Sequence, residues 1–514
     1  MAEWQSTVSP TALARQLRTA HLPEPAGHRP AYRELAGQVR LLVSEGRLAV
    51  GTRVPAEREL AQALALSRTT VAAAYEALRT DGYLRSRRGS GSWTTLPEGS
   101  RPPSDALHPV PPDESGRTLD LGIAALPAPQ PWLGLAAARA VEQLPAYAAG
   151  HGNFPTGVPV LREAVARRFT ERGLPTTADQ ILITTGAMTA LQLVHHALLS
   201  RGDRVAVEAP SYAHTLRALQ RADTRLVPVA QHGARRDAGY GGSGTGGGGG
   251  GGAAVGGRWD LLEWQRVIRD AAPRLAYVIP DFHNPTGALI DEDQRRALLA
   301  AARTSGTTVL VDETPVELGW NTDELPRPMA ALDRGAQVVT VGSASKILWG
   351  GLRIGWVRAH PGLIRQLATD RAFTDIGSPV MDQLIAAELL TEHLAEARAD
   401  RHQRLRSSAE GLIGALREQL PRWQVELPPG GLTLWVGTDG LSGAALAQAG
   451  EQTGVRIAAG SRFGVDGAFE HHIRIPLTVP AAACEEAVAR LAATARLAAT
   501  GRWPGLDSAL PLAV

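Results

Sequence analysis

Four short apolar runs constrain the fold of this chain more than any other feature. They are RVAVEAP (204–210), LAYVIP (275–280), TTVLVDE (307–313) and QVVTVGS (337–343), Val-rich and closed by Gly, Pro or charged turns. A strand buried on both faces reads as such an unbroken run, and helices on both sides of a parallel sheet bury both faces. Helical segments separate the runs. Residues 118–502 are therefore expected to form an α/β domain of buried parallel strands. Within it, residues 231–258 include seven consecutive glycines at 246–252. No core can form there, so this stretch is expected to be a disordered insertion. Phosphate loops are short and lead into a helix, and this block does neither.

The chain has 514 residues, long enough for more than one domain. Residues 30–95 read as a separate small unit. YRELAGQVRLLVSEG places Leu35, Val39, Leu42 and Val43 at helical spacing and stops at Gly46. PAERELAQALAL predicts a second helix after Pro55. SRTTVAAAYEALRTDG predicts a third, with Ser67 as N-cap, apolar Val71, Ala74, Tyr75 and Leu78, and Gly82 as the stop. YLRSRRGSGSWTT then predicts two short strands around a Gly-Ser-Gly turn. Residues 1–29 are expected to be an extension, 96–117 a Pro-rich linker and 503–514 a tail.

Residues 1–95 carry 13 Arg against 8 Asp and Glu, although the whole chain has a net charge of only +2. A basic head on a near-neutral body fits a DNA-binding module with a sensor or enzyme behind it. The second helix of a helix-turn-helix reads bases through its first residues, here Ser67, Arg68, Thr69 and Thr70. Arg53 and Arg58 are placed to hold the DNA backbone. Arg85, Arg87 and Arg88 give the hairpin a basic edge suited to phosphate or the minor groove. The order of these pieces closely resembles the GntR-family winged helix-turn-helix, which implies a double-stranded DNA operator as partner. The single Cys484 excludes an internal disulfide and a cysteine zinc site, and no metal is expected. There is no secretory leader pattern and no charge-free apolar stretch of about 18 residues, so the expected location is the cytoplasm, away from membranes.

Lys346 is the chain's one lysine against 52 arginines. A GC-rich coding bias accounts for the missing lysines and makes the survivor informative. It sits in VGSASKILWGGLRIGW (341–356), with hydroxyls at Ser343 and Ser345 and a permanent cation at Arg353. Those three suit a phosphate, and lysine supplies an amine that arginine cannot. A phosphate-bearing aldehyde held by a lysine as a Schiff base is pyridoxal 5'-phosphate. Further contacts can be found. ILITTGAMTALQLV (181–194) offers the amides of Gly186, Ala187 and Met188 at a helix start, with Thr184 or Thr185 nearby. Tyr212 follows a strand, where a ring can stack on the pyridine. Asn284, in HNPTG, is placed for the ring hydroxyl. Asp312 ends a strand, where a carboxylate keeps the pyridine nitrogen protonated.

Together these motifs resemble the fold-type I aminotransferases over about 380 residues, HNPTG and SASK…LRIG being the most specific. The resemblance implies a large α/β domain with a smaller C-terminal α+β subdomain. It also implies a late arginine for a substrate carboxylate, and EHHIRIPLT makes Arg474 that candidate. Two family features are missing: Thr314 and Pro315 stand where a tyrosine commonly follows the aspartate, and Tyr147 lies too far before Gly157 to match an upstream tyrosine. A GntR head on such a body resembles the MocR subfamily of transcription regulators. That likeness implies a head-to-tail homodimer, a small amino-compound effector that displaces Lys346, and little or no turnover. The alternative is a working aminotransferase carrying a DNA-binding head.

Overall fold

The computed structural model describes residues 6–18, 31–44, 48–87, 91–97, 118–231, 259–322, 325–333 and 337–500. The glycine block, Arg88 at the expected wing tip, residues 98–117 of the linker and the tail lie outside the described residues.

The head contains β1 (Ser6–Thr7), α1 (Pro10–Arg18), α2 (Ala31–Ser44), β2 (Thr52–Val54), α3 (Glu57–Leu64), α4 (Arg68–Thr80), β3 (Leu84–Arg87) and β4 (Gly91–Thr94). Its small sheet has the order β1-β2-β4-β3. Helix α4 forms because Val71, Ala74, Tyr75 and Leu78 make one buried stripe and Ser67 Oγ accepts from Thr70 N at 3.0 Å. The Tyr75 hydroxyl donates to Pro55 O at 2.9 Å and ties α4 to the start of α3.

The structure corrects one boundary. Residues 6–18 are not a free extension but part of the head. Strand β1 pairs in parallel with β2, and Leu13 and Leu17 of α1 are fully buried with Leu35, Val39 and Leu60. An i, i+4 pair is enough to seat a nine-residue helix when the groove it enters is already apolar.

In the body, β6 (Ile181–Thr184), β7 (Arg204–Ala209), β8 (Arg225–Ala230), β9 (Leu275–Val278), β10 (Thr308–Asp312), β11 (Val338–Ser343) and β12 (Gly355–Arg358) form one sheet, following β5 (Leu119–Leu121) in the chain. The order is β6-β12-β11-β10-β9-β7-β8. Only β12 is antiparallel to its neighbours. The apolar runs are continuous because the alternating residues enter two different cores. Val309 and Val311 pack in one and Leu310 in the other, as do Ala276 and Val278 against Leu275 and Tyr277. A second sheet, β13 (Thr433–Gly437), β15 (His472–Pro476), β14 (Val455–Ala459) and β5, covers the C-terminal part. The smaller subdomain is thus not purely C-terminal: β5 pairs in parallel with β14 directly after the linker.

Candidate functional site

The carboxyl ends of β6, β7, β9, β10 and β11 open on one cleft, the usual position for ligands in a parallel sheet. It is lined by Ala187, Met188, Tyr212, Asn284, Asp312, Ser343, Ser345, Lys346 and Arg353, with apolar walls that include Phe282, Leu318 and Leu432.

Lys346 lies three residues past β11, and its Nζ donates to Ala124 O at 2.9 Å. Burial, then Arg474 and Arg353, pull its pKa down to about 8, with Asp312 opposing them. A neutral amine is therefore accessible near physiological pH, which a nucleophilic lysine requires. Asp312 ends β10. Its Oδ2 accepts from Tyr277 Oη at 2.7 Å and its Oδ1 from Thr314 N at 3.0 Å. Burial pushes the Asp312 carboxyl up, while those hydrogen bonds and Lys346 hold it down. Tyr212 caps the helix Ala213–Arg221, and burial pushes its phenol up to about 12.

Gly186 begins the helix Ala187–Leu198 with φ +88°, a left-handed geometry that favours glycine. A Cβ there would lie 2.6 Å from Arg353 Nη2, so the glycine lets that guanidinium close over the helix N-terminus. Arg353 Nη2 also donates to Thr185 O at 3.3 Å. Most of the neighbouring hydroxyls are spent within the protein. Thr184 Oγ1 donates to Gly186 O at 3.0 Å, Thr185 Oγ1 to Asp375 Oδ2 at 3.0 Å, and Ser343 Oγ to Ile354 O at 3.2 Å. Ser343 Oγ also accepts from Ser345 N at 3.0 Å, and both serines line the cleft.

The loop carrying Asn284 is anchored at its base. His283 Nδ1 meets Thr286 Oγ1 at 2.9 Å, and Thr433 Oγ1 donates to Pro285 O at 2.9 Å. Asn284 Oδ1 is buried with no protein partner among the described residues. Arg474, on β15, is buried beside the cleft rather than lining it. It donates to Gly122 O and stacks 5.0 Å from the Phe463 ring. Burial pulls its pKa down to about 10.

The DNA-reading candidates form a second group on the head. Arg53, Arg58, Ser67, Arg68 and Thr69 are exposed. Ser67 Oγ lies 2.7 Å from the hydroxyls of both Thr69 and Thr70 at the α4 N-terminus. The Arg68 side chain, 73% exposed, stands 3.8 Å from Glu57. Arg53 packs against the first residue of β4, where a Cβ on Gly91 would lie 2.8 Å from its Nε. The backbone of Arg87 ends β3, and Arg88 is outside the described residues.

Sequence reasoning missed Tyr277, Ala124 and Phe282. Tyr277 gave no polar signal inside LAYVIP. Among the described residues, no helix is long and apolar enough to cross a membrane, and no cluster of metal ligands occurs.

Comparison with known proteins agrees with this architecture. Residues 136–491 match the family model for aminotransferase class I and II, and residues 31–93 match that for bacterial regulatory proteins of the gntR family. The uncharacterized HTH-type transcriptional regulator YisV of Bacillus subtilis is 28% identical over 79% of this chain and 84% of its own length. The probable rhizopine catabolism regulatory protein MocR of Rhizobium meliloti is 25% identical over 77% and 78%. Among solved structures, LysN, an α-aminoadipate aminotransferase of Thermus thermophilus complexed with N-(5'-phosphopyridoxyl)-L-leucine, superposes with a TM-score of 0.64. It is 27% identical over 76% of this chain and 98% of that one. The chain belongs to the aminotransferase class I and II family, joined behind a GntR-type head as in the MocR-type regulators.

Proposed function

We propose that this protein is a DNA-binding transcription regulator whose aminotransferase-like domain holds pyridoxal 5'-phosphate on Lys346 and senses an amino-containing effector, or the cofactor itself. The observation that carries this reading is the placement of the one lysine. The fold brings it into a cleft with Asp312, Asn284, Tyr212 and Arg353, in a chain that also carries a helix-turn-helix. The residues present fit the cofactor. Asn284 has a buried oxygen with no partner among the described residues, and the Arg353 guanidinium closes over the N-terminus of the helix that follows Gly186.

When bound, the cofactor supplies an electrophilic carbon for amines and a sink for electrons. The chain's own groups divide the work. Gly186, Ala187 and Met188 at the helix N-terminus, with Ser345 and Arg353, would hold the phosphate. Tyr212 would cover the ring, Asn284 would donate to its hydroxyl, and Asp312, as a carboxylate, would accept a hydrogen bond from the protonated pyridine nitrogen. Lys346 Nζ would be the amine that anchors the cofactor, and Arg474 would receive a carboxylate if the effector has one, in exchange for its bond to Gly122 O. Such a change can move the heads only if the effector binds the two domain arrangements unequally. On the head, Ser67–Thr70 read bases while Arg53, Arg58, Arg87 and Arg88 hold phosphates. The protein acts as a homodimer, arranged head to tail.

The test is a spectral titration of the cofactor-loaded protein with an amine library, followed by operator binding with each amine that changes the spectrum. An effector that shifts both supports regulation. The second reading, a working aminotransferase, draws on the same amine, pulled down to about pH 8, and on the likeness to LysN. Sustained conversion of amino acids and 2-oxo acids, many-fold over free cofactor, would overturn the regulator reading in its favour.

A further inference from the structure

Tyr277 has no place in the functional reading so far, yet it is the closest polar neighbour of Asp312. It sits on β9, opposite Leu310 of β10 and Val207 of β7. Its side chain points to the same face of the sheet as Leu310, toward the helix Ala213–Arg221. The ring is fully buried. Its hydroxyl makes two hydrogen bonds: it donates to Asp312 Oδ2 at 2.7 Å and meets Thr215 Oγ1 at 3.3 Å. Thr215, also fully buried, lies one turn along the helix that Tyr212 caps. Thr215, Tyr277 and Asp312 therefore form a chain from the element that carries the candidate stacking ring to the candidate pyridine partner.

A tyrosine inside an apolar strand carries a polar atom that must be satisfied or it costs stability. Phenylalanine would fill the same space with no such demand. The hydroxyl earns its position only if Asp312 needs a donor. A lone carboxylate between apolar strands drifts toward its neutral, rotatable form. One strong donor on Oδ2, with Thr314 N on Oδ1, fixes both its charge and its orientation. What remains for a guest is a carboxylate held in one orientation, its ionised form favoured by both donors against the cost of burial.

We propose that Tyr277 is a positioning residue for the cofactor: through its hydrogen bond to Asp312, buttressed by Thr215, it keeps that carboxylate ionised and directed at the pyridine nitrogen. This rests on the reading of the cleft as a pyridoxal phosphate site. It assigns Tyr277 no contact with the cofactor. The effect must therefore run through Asp312 and depend on there being a nitrogen for Asp312 to hold.

That dependence separates positioning from simple support of the fold. The full-length wild-type protein and Tyr277→Phe are each stripped of cofactor. Their affinities are then measured for pyridoxal phosphate and for 1-deaza-pyridoxal phosphate, in which carbon replaces the ring nitrogen. Thermal melts of the stripped proteins check that both chains fold. Losing a hydrogen bond to a charged group is expected to weaken the natural cofactor by about tenfold or more. The deaza compound should bind both chains within about twofold. Thr215→Val should show a smaller loss with the same selectivity for the nitrogen. Equal losses for both compounds, or none for either, overturn the proposal and leave the site reading standing. A wild-type chain that retains neither compound overturns the site reading itself, and this inference with it.

Discussion

Replacing Lys346 with methionine should stabilise the cofactor-free protein near neutral pH, by an amount that fades as the pH rises. Burial, then the guanidinium groups of Arg474 and Arg353, hold the lysine at about 8 instead of 10.5, against the pull of Asp312. At about 1.4 kcal/mol for each tenfold, keeping the ammonium in the folded cleft costs about 3 kcal/mol. Lys346 is part-exposed at the cleft, and screening trims this to about 2–3 kcal/mol. Below about pH 8 both folded and unfolded chains carry the proton, and the full cost is present. Between about pH 8 and 10.5 the unfolded chain binds a proton that the folded one does not, so stability rises with pH. Above that window neither state is protonated and the cost is gone. Methionine never carries the charge, but it also forfeits the 2.9 Å bond to Ala124 O, which offsets about 1 kcal/mol. The variant should therefore be more stable by about 1–2 kcal/mol at about pH 7 and less stable by about 1 kcal/mol at about pH 10.5. Urea unfolding of both stripped chains across this range measures the gap, and titrations common to both cancel. A variant less stable at neutral pH, or a gap that does not change with pH, refutes the electrostatic account.

Two further outcomes test the head. Arg68→Ala should weaken operator binding by about 1–3 kcal/mol and leave the cofactor spectrum as it is; an unaltered affinity would mean that α4 is not the reading helix. Leu13→Ala should cost the head about 2–5 kcal/mol, because Leu13 is fully buried in its core. Operator binding followed during heating would reveal this loss, and an unshifted melt would return residues 6–18 to the status of an appendage.

The sheet was legible because both of its faces are buried. Val309, Leu310 and Val311 had to be apolar whichever core they entered, and the run itself announced a central strand. The cleft was legible because its residues stand where strands stop, and strands stop at turn-forming residues such as those of TTGA, HNPTG and VDET. Helix α1 was not, since two leucines in nine residues carry little periodicity until a groove exists to receive them. Strand β5 was not, because its partner β14 is more than 330 residues away and three residues set no register alone. Hydroxyl direction was also hidden. Ser343 and Ser345 look equivalent in SAS and both line the cleft, but the Ser343 hydroxyl donates to Ile354 O. Tyr277 was hidden by its surroundings, where an aromatic ring reads as core and only the register with β10 brings its oxygen to Asp312.

The charges of the cleft indicate what kind of guest it is built for. Lys346 is flanked by Arg353 and Arg474, both of which depress its protonation, while Asp312 alone among its named influences raises it. Arg474, buried on β15, donates to a backbone carbonyl and lies over an aromatic face, with Asp120 favouring its charge. Anions would offset these positive charges, a phosphate under Arg353 in the cleft and a carboxylate at Arg474 beside it. Either would also lift the Lys346 pKa again by offsetting a neighbouring positive charge. Occupancy at one site is thus felt at the lysine and, through it, at the other. Inorganic phosphate alone should narrow the stability gap between wild type and Lys346→Met at neutral pH, because it removes part of the cost that methionine avoids. A gap that stays the same at saturating phosphate would show that desolvation, rather than the arginines, sets the state of the lysine.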